Sequence, residues 1–218
     1  MAPSLAQVHH IRDAIATAVL ALHPPRSVRE ARRDVITWAR QVLATGETLL
    51  LDTETTGLEA HDEVIQLAIV DMQGTVVLDT LVRPTRPIAP EARAIHGITD
   101  QALAEAPPFS ALYNAIAHLL GHRLVLAYNA AFDRRLLAQT CTTYGLPPLE
   151  IAAWDCVMER YAGFWGAGSK AGAYQAQSLS TACTQQGIGV HEHHKAVHDC
   201  LLTLALIKAM ASAEEEET

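Results

Sequence analysis

Thr48-Leu-Leu-Leu-Asp52-Thr-Glu54-Thr-Thr-Gly57 is an apolar run that drives straight into two carboxylates and then a glycine turn. Side chains alternate faces along a β-strand, so Asp52 and Glu54 project together while Thr53 points away. Two unit charges ~4 Å apart at an effective dielectric of ~20 repel by about 4 kcal/mol. Such a pair at the end of a buried strand needs a proton or a cation, and a hard divalent metal serves.

Around this strand the hydrophobic period changes. Before it, Leu5, Val8, Ile11, Ile15, Val19 and Leu22 fall at helical spacing and Pro24-Pro25 closes that helix. Ser27 with Glu30 three residues on makes a capping-box pattern for a second helix, with Val28, Ala31, Val35, Trp38 and Val42 as its apolar stripe up to Gly46. Residues 1–46 thus read as a helical extension, 47–211 as the main domain and 212–218 as an acidic tail. Strands are expected at about 48–54, 63–71 and 75–82, joined by tight turns. After the proline-spotted stretch Pro84 to Pro108 the pattern predicts a helix at 109–121, a strand from Leu124 to Tyr128, a helix near 133–143, a strand near 150–154 and helices near 178–186 and 195–211. That alternation defines an α/β fold with a mixed sheet flanked by helices.

Composition bounds the possibilities. The chain has 218 residues, half of them hydrophobic, enough for one full core. Cys141, Cys156, Cys183 and Cys200 show neither C-x-x-C spacing nor a disulfide framework, which fits a reducing, cytoplasmic setting. No segment is long and apolar enough to span a bilayer, so no membrane partner is expected. The net charge of −8 argues at first against a polyanionic partner. The charge is uneven, however: residues 1–46 carry six arginines against three acids, and part of the remaining acidity belongs to the tail and to a candidate metal site.

Two later phrases complete what Asp52 and Glu54 begin: Asn129-Ala-Ala-Phe132-Asp133 after the fourth strand, and His194-Lys-Ala-Val-His-Asp199 at the start of the last helix. With D-x-E, N-x-x-F-D and H-x-x-x-x-D in that order, and Ile95-His-Gly-Ile-Thr99 between them, the chain resembles the DEDDh-type 3′-5′ exonucleases of the DnaQ-like superfamily, which include polymerase proofreading subunits. The resemblance implies a ribonuclease-H-like fold with a five-stranded mixed sheet. It implies that Asp52, Glu54, Asp133 and Asp199 ligate two Mg²⁺ or Mn²⁺ ions, and that His194 is the general base. Oxygen-only ligands suit hard ions, and an unperturbed imidazole pKa near 6.5 suits proton transfer around neutrality. His194 and Asp199 stand about 140° apart on a helical wheel, so the histidine is expected on the loop before the helix. The resemblance further implies that Glu91 and His96 hold the terminal nucleotide, that the backbone of Thr55, Gly57 and Leu58 meets the last sugar and base, and that Phe132 packs beside them.

The implied substrate is a single-stranded DNA 3′ end, released as nucleoside 5′-monophosphates by a monomer acting in repair or proofreading. RNA 3′ ends and a polymerase or repair partner held by 1–46 are the alternatives. Taken singly, Asp133 would read as a helix cap and Asp199 as a first-turn acid complementing the helix dipole. The histidines His191, His193, His194 and His198 suggest zinc, but H-E-x-x-H is absent. Asp62, Glu63, Asp71 and Asp155 read as turn or surface acids. Tyr161 to Gln177, with Lys170, reads as a flexible loop or a stacking surface for a strand. Two residues depart from the family pattern: Tyr128, where histidine is frequent, and Gln66, where glutamate is.

Overall fold

The structure is a computed structural model that describes residues 27–167, 174–190 and 195–214. The expected helix at 5–22, Lys170, and His191, His193 and His194 lie outside the described residues. The described chain opens with α1 (Val28–Ala44), whose N-cap Ser27 accepts from the Glu30 amide. Then come β1 (Leu49–Thr55), β2 (Val64–Asp71) and β3 (Val76–Leu81). Two short helices follow, α2 (Pro90–His96) and α3 (Asp100–Leu103), and then α4 (Phe109–Leu120) and β4 (Leu124–Ala127). The remainder is α5 (Ala130–Thr143), β5 (Ala153–Cys156), α6 (Val157–Trp165), α7 (Leu179–Gln185) and α8 (Ala196–Ser212).

The five strands form one mixed sheet in the order β3-β2-β1-β4-β5. β1, β2 and β3 pair antiparallel, while β1, β4 and β5 run parallel. β1 is therefore central, and it is apolar on both faces as a doubly covered strand must be. Leu50 packs with α1, α6, α7 and α8 through residues such as Trp38, Tyr161, Ala182 and Leu204. Leu49 and Leu51 pack on the other face with Phe109 and Ile116 of α4 and Leu136 and Leu137 of α5. This is the expected α/β architecture, helices on both sides of a five-stranded sheet.

The structure refines the reading at four places. Helix α1 spends its stripe on the sheet core: Ala31, Val35, Trp38 and Val42 are buried, and only Val28, at its first residue, stays largely exposed. Asp155 is not a surface acid. It sits in β5, accepts from Trp38 Nε1 at 2.9 Å, and receives the Arg160 guanidinium in a largely buried ion pair at 2.7 Å. Asp62 and Glu63 are buried as well. The stretch from Tyr161 begins inside α6, where Val157, Tyr161 and Phe164 recur at helical spacing and are fully buried, so its first part is core helix rather than loop. Asp71 is the turn acid expected, accepting from the amides of Gln73 and Thr75.

Candidate active site

The site is built at the carboxyl end of β1. β1 and β4 are aligned with Leu49 opposite Val125 and Leu50 opposite Leu126, and β4 ends at Ala127. β1 continues to Thr55, so its last residues run past their parallel neighbour. Side-chain alternation assigns the faces: Asp52 and Glu54 follow Leu50 toward α8, and Thr53 follows Leu51 toward α5. On the α8 side, the first-turn residue Asp199 joins them. Single carboxylate oxygens of Asp52, Glu54 and Asp199 all lie within 4.8 Å of one another. On the α5 side, Thr53 Oγ1 donates to Asp133 Oδ1 at 2.8 Å and fixes that buried carboxylate over the strand end. Four acids therefore straddle one strand. Two of them lie in the first turns of α5 and α8, where helix dipoles favour negative charge.

Crowding and burial leave a clear electrostatic mark. Burial, and then the carboxylates of Asp133, Asp199 and Glu54, push Asp52 well above the usual carboxylate range. Burial with Asp199 and Asp133 pushes Glu54 up to about 8. Asp133 is pushed up to about 7 by burial, against the lowering effect of its Thr53 hydrogen bond. Three desolvated carboxyl groups that resist ionisation, gathered with Asp199, are the environment a multivalent cation relieves, and an all-oxygen donor set suits a hard one. The residues present thus fit divalent metal ions.

The loop after β1 is rigidly held. Buried Asp62 accepts from Thr56 Oγ1 at 2.6 Å and from the Glu59 amide at 2.7 Å. Glu63 accepts from the Thr85 hydroxyl at 2.6 Å and from the Thr85 amide. Gln139 Nε2 donates to Glu59 O and Asp62 O, each at 3.1 Å. Gly57 is required here because a Cβ would lie 2.6 Å from Asp62 Oδ2. Thr55 Oγ1 donates to Gly57 O at 2.8 Å, while Leu58 projects with 69% of its surface exposed. The Ala89 amide donates to Thr56 O, which ties the start of α2 to this loop. On α2, Glu91 is exposed and His96 half-buried. His96 Nδ1 accepts from the Ile98 amide at 3.0 Å, so the neutral ring carries its proton on Nε2. Phe132 packs partly against the α5-side core under the Arg135 guanidinium.

The structure therefore gathers Asp52, Glu54, Asp133 and Asp199 at one strand end and braces the Thr55–Leu58 loop beside them. His194 falls outside the described residues. His198, in the first turn of α8, is half-buried. Sequence reasoning missed Thr53, Asp62, Glu63 and Gln139. Thr53 carries a signal in the alternation itself, since the middle residue of D-x-E must face the opposite layer.

Comparison with known proteins agrees with this geometry. Residues 49–207 match the model of the RNase T family, described as exonucleases. An uncharacterized exonuclease of Escherichia phage 186, CP81, is 36% identical over 171 residues, covering 76% of this chain and 88% of the phage protein. Exodeoxyribonuclease 10 of Escherichia coli K12 is 35% identical over 163 residues, covering 72% of this chain and 66% of that enzyme, just under two thirds of its length. A solved structure of exonuclease X in complex with 5′-overhanging duplex DNA superposes with a TM-score of 0.56 at 34% identity, over 76% of this chain and 92% of that one. Fold and acidic cluster define an enzyme that hydrolyses nucleic acid. The chain belongs to the exonuclease family of DnaQ-like, RNase T type.

Proposed function

We propose that this exonuclease removes nucleotides from the 3′ ends of single-stranded DNA, releasing nucleoside 5′-monophosphates. The observation that carries the reading is the convergence of Asp52, Glu54 and Asp199 within 4.8 Å, with Asp133 fixed by Thr53 across the same strand. Asp52, Glu54, Asp133 and Asp199 would hold two divalent ions, Mg²⁺ or Mn²⁺. When bound, the ions supply positive charge against the scissile phosphate and the departing 3′ oxygen. Asp52 has the other three acids as electrostatic neighbours, a position suited to serving both ions.

The protein's own groups do the positioning. The backbone at Thr55, Gly57 and Leu58, with Glu91 and His96, seats the terminal nucleotide, and Phe132 packs at its edge. Water attacks phosphorus, the bond to the 3′ oxygen breaks, and His194 takes the proton of the attacking water. That role rests on the H-x-x-x-x-D spacing to Asp199. DNA is preferred over RNA as substrate because a 35% identical relative is an exodeoxyribonuclease and the solved neighbour holds DNA. If a polymerase or repair partner binds through 1–46, its contact falls on the outer face of α1 or on residues before 27, since the apolar face of α1 is committed to the core.

The test is degradation of a 5′-labelled single-stranded DNA oligomer with Mg²⁺, Mn²⁺ or EDTA, beside a 3′-blocked oligomer and a matched RNA. A metal-dependent ladder that needs a free 3′ end and disappears in Asp52→Ala is expected. The loss should exceed the about 10–100-fold that changes outside the ligand shell cost. A ladder on RNA alone, or full activity in Asp52→Ala, would overturn the reading.

A further inference from the structure

Helix α7 runs for only seven residues, Leu179–Gln185, and buries just Ala182 and Cys183. So short a helix is marginal by itself, and its place depends on its neighbours. It packs on α8, where Cys183 Sγ donates to Leu202 O at 3.9 Å, three residues beyond Asp199. Burial, and then the Asp199 carboxylate, push the Cys183 thiol up to about 11. Helix α7 therefore stands behind the end of α8 that enters the acid cluster.

Two tyrosine hydroxyls hold this helix, one at each end. Leu50 is paired with Leu126, so two residues further on Asp52 and Tyr128 leave neighbouring strand ends on the same face. The Tyr128 ring is buried, and its hydroxyl donates to Gln177 O at 2.9 Å, immediately before the Ser178 cap of α7. Tyr161 of α6 is fully buried as well. Its hydroxyl donates to Gln185 Oε1 at 2.9 Å and accepts from Gln186 Nε2 at 3.0 Å, where α7 ends. Burial above all raises both phenols, so each stays protonated and able to donate. The residue that departs from the family pattern after β4 is thus one of the two ties.

We propose that Tyr128 and Tyr161 are positioning residues for the acid cluster: by clamping α7 at both ends they keep α8 in place and Asp199 in reach of Asp52 and Glu54. Asp52 and Glu54 ride on β1, and Asp133 is fixed by Thr53, so the clamp bears on Asp199. Both tyrosines act through α7, and neither is a catalytic residue. This inference rests on the metal reading of the acid cluster above.

The test is direct binding of Mn²⁺ to the full chain without nucleic acid, read from the electron paramagnetic resonance signal of the free ion. Tyr128→Phe/Tyr161→Phe keeps both rings and removes both hydroxyls. Trp38→Phe is the control: it removes a buried N–H donor from the same hydrophobic layer, at a bond that leads to Asp155 of β5 and not to α7. The clamp variant should bind Mn²⁺ at least about fivefold more weakly, near the lower end of the about 10–100-fold that loss of ligand-orienting partners costs, while Trp38→Phe stays within about twofold of the unsubstituted chain. Amide hydrogen exchange over 179–185 should be faster in the clamp variant. Tyr128→Phe alone removes one tie, should show an intermediate loss, and carries the test if the pair does not fold. Equal weakening in Trp38→Phe, or unchanged affinity in the clamp variants, would overturn the inference. An unsubstituted chain that binds no Mn²⁺ would instead overturn the metal reading on which it rests, so the two failures are distinct.

Discussion

At the level of single residues, the site separates groups that do chemistry from groups that hold them still. If His194 accepts the proton of the attacking water, His194→Ala should lose about 10²–10⁴ in turnover while metal affinity stays unchanged. Single-turnover rates measured beside a metal titration check this, and weakened metal binding at retained maximal rate would make His194 a ligand instead. Gly57→Ala forces a methyl against the buried Asp62 carboxylate, 2.6 Å from Oδ2. The loop must shift, so KM for the oligomer should rise several-fold, while metal binding, if held by the acids on β1, α5 and α8, is retained. The four acids implied by D-x-E, N-x-x-F-D and H-x-x-x-x-D were legible because alternation and motif order both place them. Asp62 and Glu63 were not. Their burial depends on Thr56, Thr85 and Gln139, which lie on three separate segments, and no local pattern shows an acid which hydroxyl or amide it will meet.

At the level of elements, α1 illustrates the same limit. Its stripe and Ser27 cap were readable, yet the surface its stripe would cover was not, because a helical period fixes which face is buried and not what buries it. The structure supplies the partner: Trp38 reaches Asp155 of β5, which Arg160 of α6 also grips while lying 5.1 Å over the Trp38 ring. Removing one member of a buried pair leaves the other uncompensated, so Asp155→Ala should cost about 3–5 kcal/mol. Trp38→Phe keeps the ring packing and removes one N–H donor, and should cost only about 1–2 kcal/mol. Denaturant unfolding of the two variants checks the order, and equal losses would mean that packing rather than the polar cluster holds α1. Short helices α2 and α3 escaped the sequence reading because the prolines around them masked any period. They are held by tertiary contacts, with Ile88 and Leu103 packed on Ile65 and Arg93 paired with Asp100.

At the level of the whole molecule, the acidic site couples stability to pH and to metal. Glu54 and Asp133 have folded-state pKa values of about 8 and about 7, and Asp52 is also raised. A carboxyl whose pKa is raised by folding contributes stability that is complete below its unfolded pKa, near 4, and is lost as pH climbs through the folded value. The metal-free protein should therefore melt at progressively lower temperature between about pH 5 and pH 9. Mg²⁺ or Mn²⁺ should restore the melting temperature, and more at alkaline than at acid pH, because ligands must be ionised to bind. Asp52→Asn should raise the metal-free Tm at pH 8 by about 2–4 °C for each kcal/mol of repulsion relieved. Thermal melts across pH with and without metal check all three. Among the described residues no helix is long and apolar enough to cross a membrane.

The straddling arrangement of the acids makes the site depend on every layer of the fold. Two carboxylates ride on the central strand, one arrives from a helix on one face and one from a helix on the other, so the set closes only when both hydrophobic layers have condensed on the sheet. The four-acid set is thus a property of the fully packed molecule and belongs to no single layer.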